Sequence, residues 1–361
     1  MDYFSSHYAQ ARTRFIDTAC ATGASLDKHV HPLKGPNGEE LAVDLAWFGP
    51  KDAKSAVVAL SGVHGVEGFF GSAVQTAWMD RNEWKRLPND ACAILIHAIN
   101  PFGFAWLRRT NEDNVDLNRN WIDFSTPTPE NKRYDEIAVD LAPVEWSEKT
   151  CSETSARLAA WRERNGGMAV YIQTVSGGQW AHPDGLFYGG DHPSWSRSML
   201  TEIFTKRLHR AGRVIMLDFH TGLGLPGYVE PIIHCRRNER GFPRTQAWIG
   251  AAATSIYGGG AIAAEVQGDG LSAIQKMLPN ALVDAVSLEC GVLSIDKVEF
   301  ALRADNWLHM HGDLRSAEAA DIKKMIRAAF NSDEPLWQGM ALGQGLAACR
   351  AAVCGLTQFT V

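Results

Sequence analysis

The sequence predicts an α/β protein built on a mixed, largely parallel β-sheet flanked by helices on both faces. Two observations carry this. Short apolar runs bounded by Gly, Pro, Asn or Asp alternate with stretches whose apolar residues recur at helical spacing. Strands alternating with helices demand a sheet covered on both sides. The 361 residues, 45% of them hydrophobic and 21% charged, are ample for a large core. No repeat, low-complexity segment or clear linker divides them. The chain therefore reads as one domain over 1–361, with an insertion at about 122–212 and a helical C-terminal tail at about 313–361.

The elements follow in order. Tyr3 to Cys20 places Phe4, Tyr8, Ala11, Phe15 and Ile16 near one helical face. Glu40 to Phe48 alternates as a strand, and Gly35-Pro36-Asn37-Gly38 before it predicts a hairpin turn. Ala56 to Leu60 is a buried strand that runs into the Gly-flanked stretch Ser61 to Gly68, and a helix follows from about Phe70 to Trp84. Ala91 to Ile99 is the next strand, and Asn100-Pro101-Phe102-Gly103 predicts a loop after it. A helix is expected from about Glu153 to Asn165, and an ordered glycine-rich loop from Gln173 to Gly190. Pro193 suits the first turn of the helix carrying Trp195, Met199, Ile203 and Leu208. Strands are expected at Arg213 to Phe219, Val229 to Cys235, Ala261 to Val266 and Ala285 to Leu288, with helical segments up to Phe330 and from Ala341 to Val353.

Composition excludes several function classes. A net charge of −6 with no long basic run argues against nucleic acid as a partner. Met1 to Gln10 lacks a secretory pattern, and no apolar run reads as long enough to span a bilayer. Seven dispersed cysteines without a Cys-x-x-Cys fit reduced thiols in the cytoplasm. The expected partner is a small-molecule or peptide substrate, with oligomerisation left open.

Three residues stand at or just past predicted strand ends, where open α/β sheets gather their active groups: His64, His220 and Glu289. His64 and Glu67, three apart, can aim an imidazole and a carboxylate at one point. With His220 they supply two nitrogens and an oxygen, a ligand set that suits one catalytic zinc with a position left for water. Each also has a plainer reading: a solvated loop pair for His64 and Glu67, a backbone-satisfied core residue for His220. Asp218 is either a further ligand or a cap. His97 and His234 sit in apolar strands and read as core; His309 and His311 read as surface.

Asp116 is a candidate to fix the tautomer of His64. Asn118 and Arg119 suit recognition of a planar carboxylate, since arginine offers a charged bidentate fork. Arg109 is placed to polarise a scissile carbonyl, with Arg108 as the alternative. Glu289, a carboxylate in an apolar strand, is the candidate proton carrier. Glu265, in Ala263-Ala264-Glu265-Val266, is its rival.

The order His64-x-x-Glu67, Arg109, Asp116-x-Asn118-Arg119, His220, Glu289 resembles the zinc carboxypeptidase family M14, and Asp-Leu-Asn-Arg-Asn-Trp at 116–121 is close to its usual wording. Within it the chain resembles the bacterial branch known as DUF2817, over roughly residues 40 to 300. The resemblance implies a phosphorylase/hydrolase-like fold of the zinc carboxypeptidase type and one zinc ion held by His64, Glu67 and His220. It also implies an oxyanion-stabilising Arg109, a carboxylate held by Asn118 and Arg119, and water activated by Glu289. The expected activity is cleavage of an amide bond in a small or short-peptide substrate with a free carboxylate. Two departures matter: about a hundred residues separate Arg119 from His220, and no tyrosine clearly matches the one that caps the substrate in carboxypeptidases, with Tyr228 and Tyr257 as loose candidates. Alternatives are an N-acyl amino acid deacylase of the related aspartoacylase and succinylglutamate desuccinylase branch, and a non-catalytic binding protein on the same fold. A serine esterase using Ser61 lacks the Gly-x-Ser-x-Gly elbow.

Overall fold

The fold was analysed in a computed structural model that describes residues 3–358; the single-domain reading also extends over the first two and last three residues, which lie outside it. Eight strands form one sheet in the order β1-β2-β4-β3-β5-β8-β6-β7: β1 (Ser25–Lys34), β2 (Glu40–Phe48), β3 (Ser55–Ser61), β4 (Ala91–His97), β5 (Arg213–Pro226), β6 (Val229–Ile233), β7 (Thr254–Ser255) and β8 (Leu282–Gly291). The central strands β4, β3, β5 and β8 run parallel, and β1, β2 and β6 add antiparallel pairings. The sheet is mixed with a parallel centre, as the alternating pattern predicts. Strands β3 and β4 are buried along nearly their whole length and carry apolar residues throughout their centres, because helices cover both of their faces.

Thirteen α-helices lie among the described residues: α1 (Tyr8–Ala21), α2 (Gly68–Asp80), α3 (Pro101–Ala105), α4 (Lys132–Asp135), α5 (Ala138–Leu141), α6 (Glu148–Arg164), α7 (Gly167–Ser176), α8 (Trp195–Arg207), α9 (Gly241–Ile249), α10 (Gly270–Met277), α11 (Ile295–Met310), α12 (Ala317–Phe330) and α13 (Pro335–Gln358). One apolar cluster joins α2, α9 and α13 to one face of the sheet, and a second joins α8 and α10 to the other. A third lies where the insertion helices meet α11 and α12.

Several local expectations are corrected. Asn100-Pro101-Phe102-Gly103 opens a short helix rather than a loop: the Asn100 side chain accepts the Gly103 N–H, and proline fits the first turn. Residues 173–176 finish α7, so the ordered loop starts at 177. Pro193 precedes the cap of α8, which is Ser194. Ala261 to Val266 forms no strand; three successive glycines at 258–260, all with positive φ, turn the chain away from the sheet. Strand β1 escaped detection because only His31 in it is buried, which leaves no apolar alternation to read. Helix α13 is long and apolar enough to cross a membrane by length and composition, contrary to the reading of a shorter run. Half of its most apolar window is buried, and Ala341, Leu346, Ala352 and Leu356 pack into the first core cluster.

Candidate metal centre

The site forms toward the carboxyl side of the neighbouring strands β3, β5 and β8. After β3, Gly62 turns the chain at φ +68°, and a side chain there would press on Ala98. The following turn packs so tightly on α3 that a Cβ on Gly65 would sit 2.0 Å from the Gly103 carbonyl carbon. The N–H groups of Gly65 and Val66 donate to the carbonyls of Arg109 and Arg108. Held in this way, His64 and Glu67 both face inward, 4% and 1% exposed.

His220 lies inside β5 rather than past its end, because the parallel ladder with β8 continues to Gly222; His220 and Glu289 are register partners. Ligand atoms of His64, Glu67 and His220 all lie within 4.8 Å of one another. Each imidazole is oriented from behind by an aspartate. Asp116 Oδ1 is 3.0 Å from His64 Nε2, and Asp218 Oδ2 is 2.8 Å from His220 Nε2. Asp116 is held well below the ordinary carboxylate range: burial opposes this, but the charges of Arg109, Arg119 and His64 outweigh it. The Nη2–H of Arg109 also faces His64 Nε2 at 3.0 Å, and the ring's other nitrogen, Nδ1, points to Glu67. This nitrogen is buried, makes no hydrogen bond and lies 3.1 Å from Glu67 Oε1. His220 Nδ1 likewise faces Glu67 Oε2 at 3.2 Å. Two imidazole nitrogens and a carboxylate converging in a buried space are a donor set that fits a divalent metal ion such as zinc, and the aspartate–histidine pairing behind them completes it.

Arg109, not Arg108, faces this centre. Its Nη1 donates to Glu67 at 2.8 Å and its Nε to Asp116 at 3.0 Å. Arg108 turns away to Asn114 and Asp305. Asn118 and Arg119 line the same pocket; the Arg119 guanidinium donates to the carbonyls of Ser176 and Asn118. Phe187, from the loop after α7, lies between the two arginines, 5.1 Å from Arg109 and 5.5 Å from Arg119. Glu289 is 9% exposed and accepts the Leu223 N–H at 3.1 Å. Burial, then the charge of Glu67, push its pKa up to about 7. Glu265, by contrast, is exposed on a loop and pairs with Arg236.

Some functional positions escaped the sequence reading. Asp218 is the orienting partner of His220; the spacing Asp-x-His on a strand puts both side chains on one face, a signal that was available. Thr221 donates its N–H to Glu67 and its hydroxyl to the Phe330 carbonyl. His97 is core, stacked on Phe15 and bonded to Ser72. His234, expected in the core, lines the pocket. His309, expected on the surface, has its side chain covered beside Lys323 and Asp305, while His311 is exposed. Neither tyrosine considered as a substrate cap lines the pocket; Tyr171 of the insertion does.

Sheet, strand-end cluster and paired imidazoles define an α/β protein with a His–Glu–His group able to hold a metal ion. The chain belongs to the family DUF2817, described as a protein of unknown function, whose model matches residues 4–344. No curated protein matches it. Among solved structures it is similar to a metallo-carboxypeptidase from Burkholderia cenocepacia, at 13% identity over 99% of this chain and 71% of that one, with a TM-score of 0.47. It is also similar to carboxypeptidase A from Helicoverpa armigera, at 13% identity over 91% and 75%, with a TM-score of 0.44. A succinylglutamate desuccinylase from a Silicibacter species is similar at 13% identity over 80% and 67%, with a TM-score of 0.39.

Proposed function

We propose that this chain is a zinc-dependent hydrolase that cleaves an amide bond in a small or short-peptide substrate with a free carboxylate. The observation that carries the reading is the convergence of ligand atoms of His64, His220 and Glu67 within 4.8 Å of one another, with Glu289 beside them on the neighbouring strand. His64, Glu67 and His220 would hold the zinc. When bound, it supplies Lewis-acid polarisation of the scissile carbonyl and charge stabilisation as the carbonyl is attacked.

The chain's own groups do the rest. Glu289, poised near neutral pH, takes a proton from the attacking water and returns it to the departing nitrogen. Arg109 keeps positive charge beside the reacting carbonyl while it braces Glu67 and Asp116. Asn118 and Arg119 orient the substrate through its carboxylate. The cavity volume of the pocket is about 140 Å³. Tyr171, Val175 and Phe187 from the insertion wall it, which favours a small substrate and supports N-acyl amino acid deacylation as the second reading. The negative net charge and dispersed thiols support a cytoplasmic enzyme with neither nucleic acid nor membrane as partner.

Mass spectrometry of products from zinc-loaded protein given short peptides and N-acyl amino acids tests this. Release of C-terminal residues supports peptidase action, and acyl cleavage confined to N-acyl amino acids supports the second reading. No product in either set sinks the hydrolase assignment. His64→Ala should lose bound zinc by elemental analysis, and full occupancy in that variant removes His64 from the ligand set.

A further inference from the structure

A second histidine–aspartate cluster faces the same pocket and takes no part in the centre described above. Asp269 caps α10: its carboxylate accepts the N–H groups of Leu271 at 3.2 Å and Ser272 at 3.0 Å, and the Ser272 hydroxyl at 2.5 Å. It also lies 2.8 Å from Nδ1 of His234, whose Nε2 is 2.5 Å from the Ser287 hydroxyl. All three side chains are at least nine-tenths buried, and all three line the pocket.

The hydrogen-bond directions follow from the acceptors. Four donors converge on Asp269, which keeps it ionised and leaves it no capacity for a ligand. Burial opposes ionisation, and the His234 contact and the bonds from Ser272 overcome it. An ionised Asp269 places the imidazole proton on Nδ1. In the neutral ring Nε2 is then an acceptor, and the Ser287 hydroxyl donates to it. The Ser287 oxygen therefore turns its lone pairs, not its proton, toward the pocket.

Order and geometry resemble a nucleophile relay, but Ser287 lies inside β8 with β5 and β6 paired on its two sides. Its backbone N–H is committed to the sheet and is not free to hold an oxyanion. Recognition is what the position offers. Ser287 is two residues before Glu289 and on the same strand face. Asn118 Oδ1 accepts the N–H of Gly270, the residue after Asp269, at 3.4 Å. The carboxylate-holding side chain and the relay thus share one helix start. Ile232, Ile256, Ala263, Ala264 and Val266 line the pocket near it as an apolar sleeve.

We propose that Ser287, set by His234 and Asp269, is a selectivity element that takes a substrate group ending in a hydrogen-bond donor, a carboxamide above all, on the residue whose carboxylate Asn118 and Arg119 hold. This rests on the carboxylate reading of those two residues. A glutamine-type side chain lays its methylenes along the sleeve and gives an N–H to Ser287. A methionine-type chain of similar length leaves the buried oxygen without a ligand donor, and a carboxylate side chain meets lone pairs backed by the Asp269 charge.

The test compares N-blocked dipeptides ending in glutamine, methionine or glutamate on the zinc-loaded protein. Wild type should favour glutamine over methionine by about tenfold or more in kcat/KM, with glutamate last. In Ser287→Ala the glutamine-to-methionine ratio should fall to near one, and Ser287→Thr, which keeps the hydroxyl, should restore it. Equal or better use of methionine by wild type, or an unchanged ratio in Ser287→Ala, overturns the proposal. Thermal shift with free glutamine and free methionine separates this from the hydrolase reading. If no peptide is cut but glutamine stabilises wild type more than methionine does, and Ser287→Ala abolishes the difference, the selectivity element stands and the hydrolase reading fails. If neither amino acid stabilises the protein and none of the peptides is cut, both fall.

Discussion

Strand β8 carries a buried carboxylate near each end, and the two are treated in opposite ways. Asp284 meets Arg213, Arg244 and the Trp248 N–H, with both oxygens satisfied. Burial alone would raise its pKa, but these partners hold it below the ordinary carboxylate range. Glu289, five residues on, accepts one backbone N–H and sits near the negative Glu67, and its pKa rises to about 7. A buried acid given cationic partners is fixed in one protonation state and serves the fold. A buried acid denied them can exchange its proton near neutral pH and suits chemistry.

The largest effect should come from the Glu289 end. Glu289→Gln should lower turnover by about 10²–10⁴-fold while bound zinc and the melting temperature stay at wild-type levels or rise. Retained turnover in that variant ends its assignment as proton carrier. At the other end, Asp284→Ala strands two arginines and should cost about 3–5 kcal/mol in denaturant unfolding. A loss under about 1 kcal/mol would mean that the arginines find water instead.

A smaller, directional effect separates the ends by pH in chelator-treated protein. Folded Glu289 binds its proton more tightly than the unfolded chain does, so its contribution to stability falls as pH rises from the ordinary carboxylate range toward about 7. Folded Asp284 binds its proton less tightly, so its contribution is present above the ordinary range and is lost as pH falls below it. Melting curves of wild type and Glu289→Gln between these limits should differ in slope, and identical slopes would contradict the shift. The smallest effect belongs to a carboxylate in neither environment. Glu202→Ala removes an exposed pair with Lys206 and should leave the melting temperature indistinguishable from wild type.

The same contrast shows where sequence reading stops. Ala-Ala-Glu-Val around Glu265 and Ser-Leu-Glu-Cys around Glu289 look alike locally, yet one is an exposed loop and the other a central strand. Three glycines upstream of Glu265 decided the matter, and they acted through backbone conformation rather than polarity. His97 and His234 both follow apolar strand residues, but one stacks in the core and the other faces the pocket. Which side of a sheet a strand residue faces depends on register against partners far along the chain. Motif order could place His64, Glu67, Arg109, Asp116, His220 and Glu289 near one another, because strand ends collect in such sheets. Of the neighbours that fix them, Asp218 was legible in the Asp-x-His spacing, whereas Thr221 and Phe187 come from contacts that spacing alone does not encode. Arg108 and Arg109 were separated only by the packing of the turn on α3.

Thr221 ties Glu67 to the last residue of α12 through its hydroxyl bond to Phe330. This gives the centre an order of assembly in time. His64 and Glu67 leave the ribosome early and His220 much later, but the strut that steadies Glu67 is complete only after Phe330 has been made. A nascent chain that has passed His220 contains His64, Glu67 and His220 without that brace. The cluster is therefore braced from a part of the chain made well after its own residues, and helix α12, which matched no motif, contributes that brace.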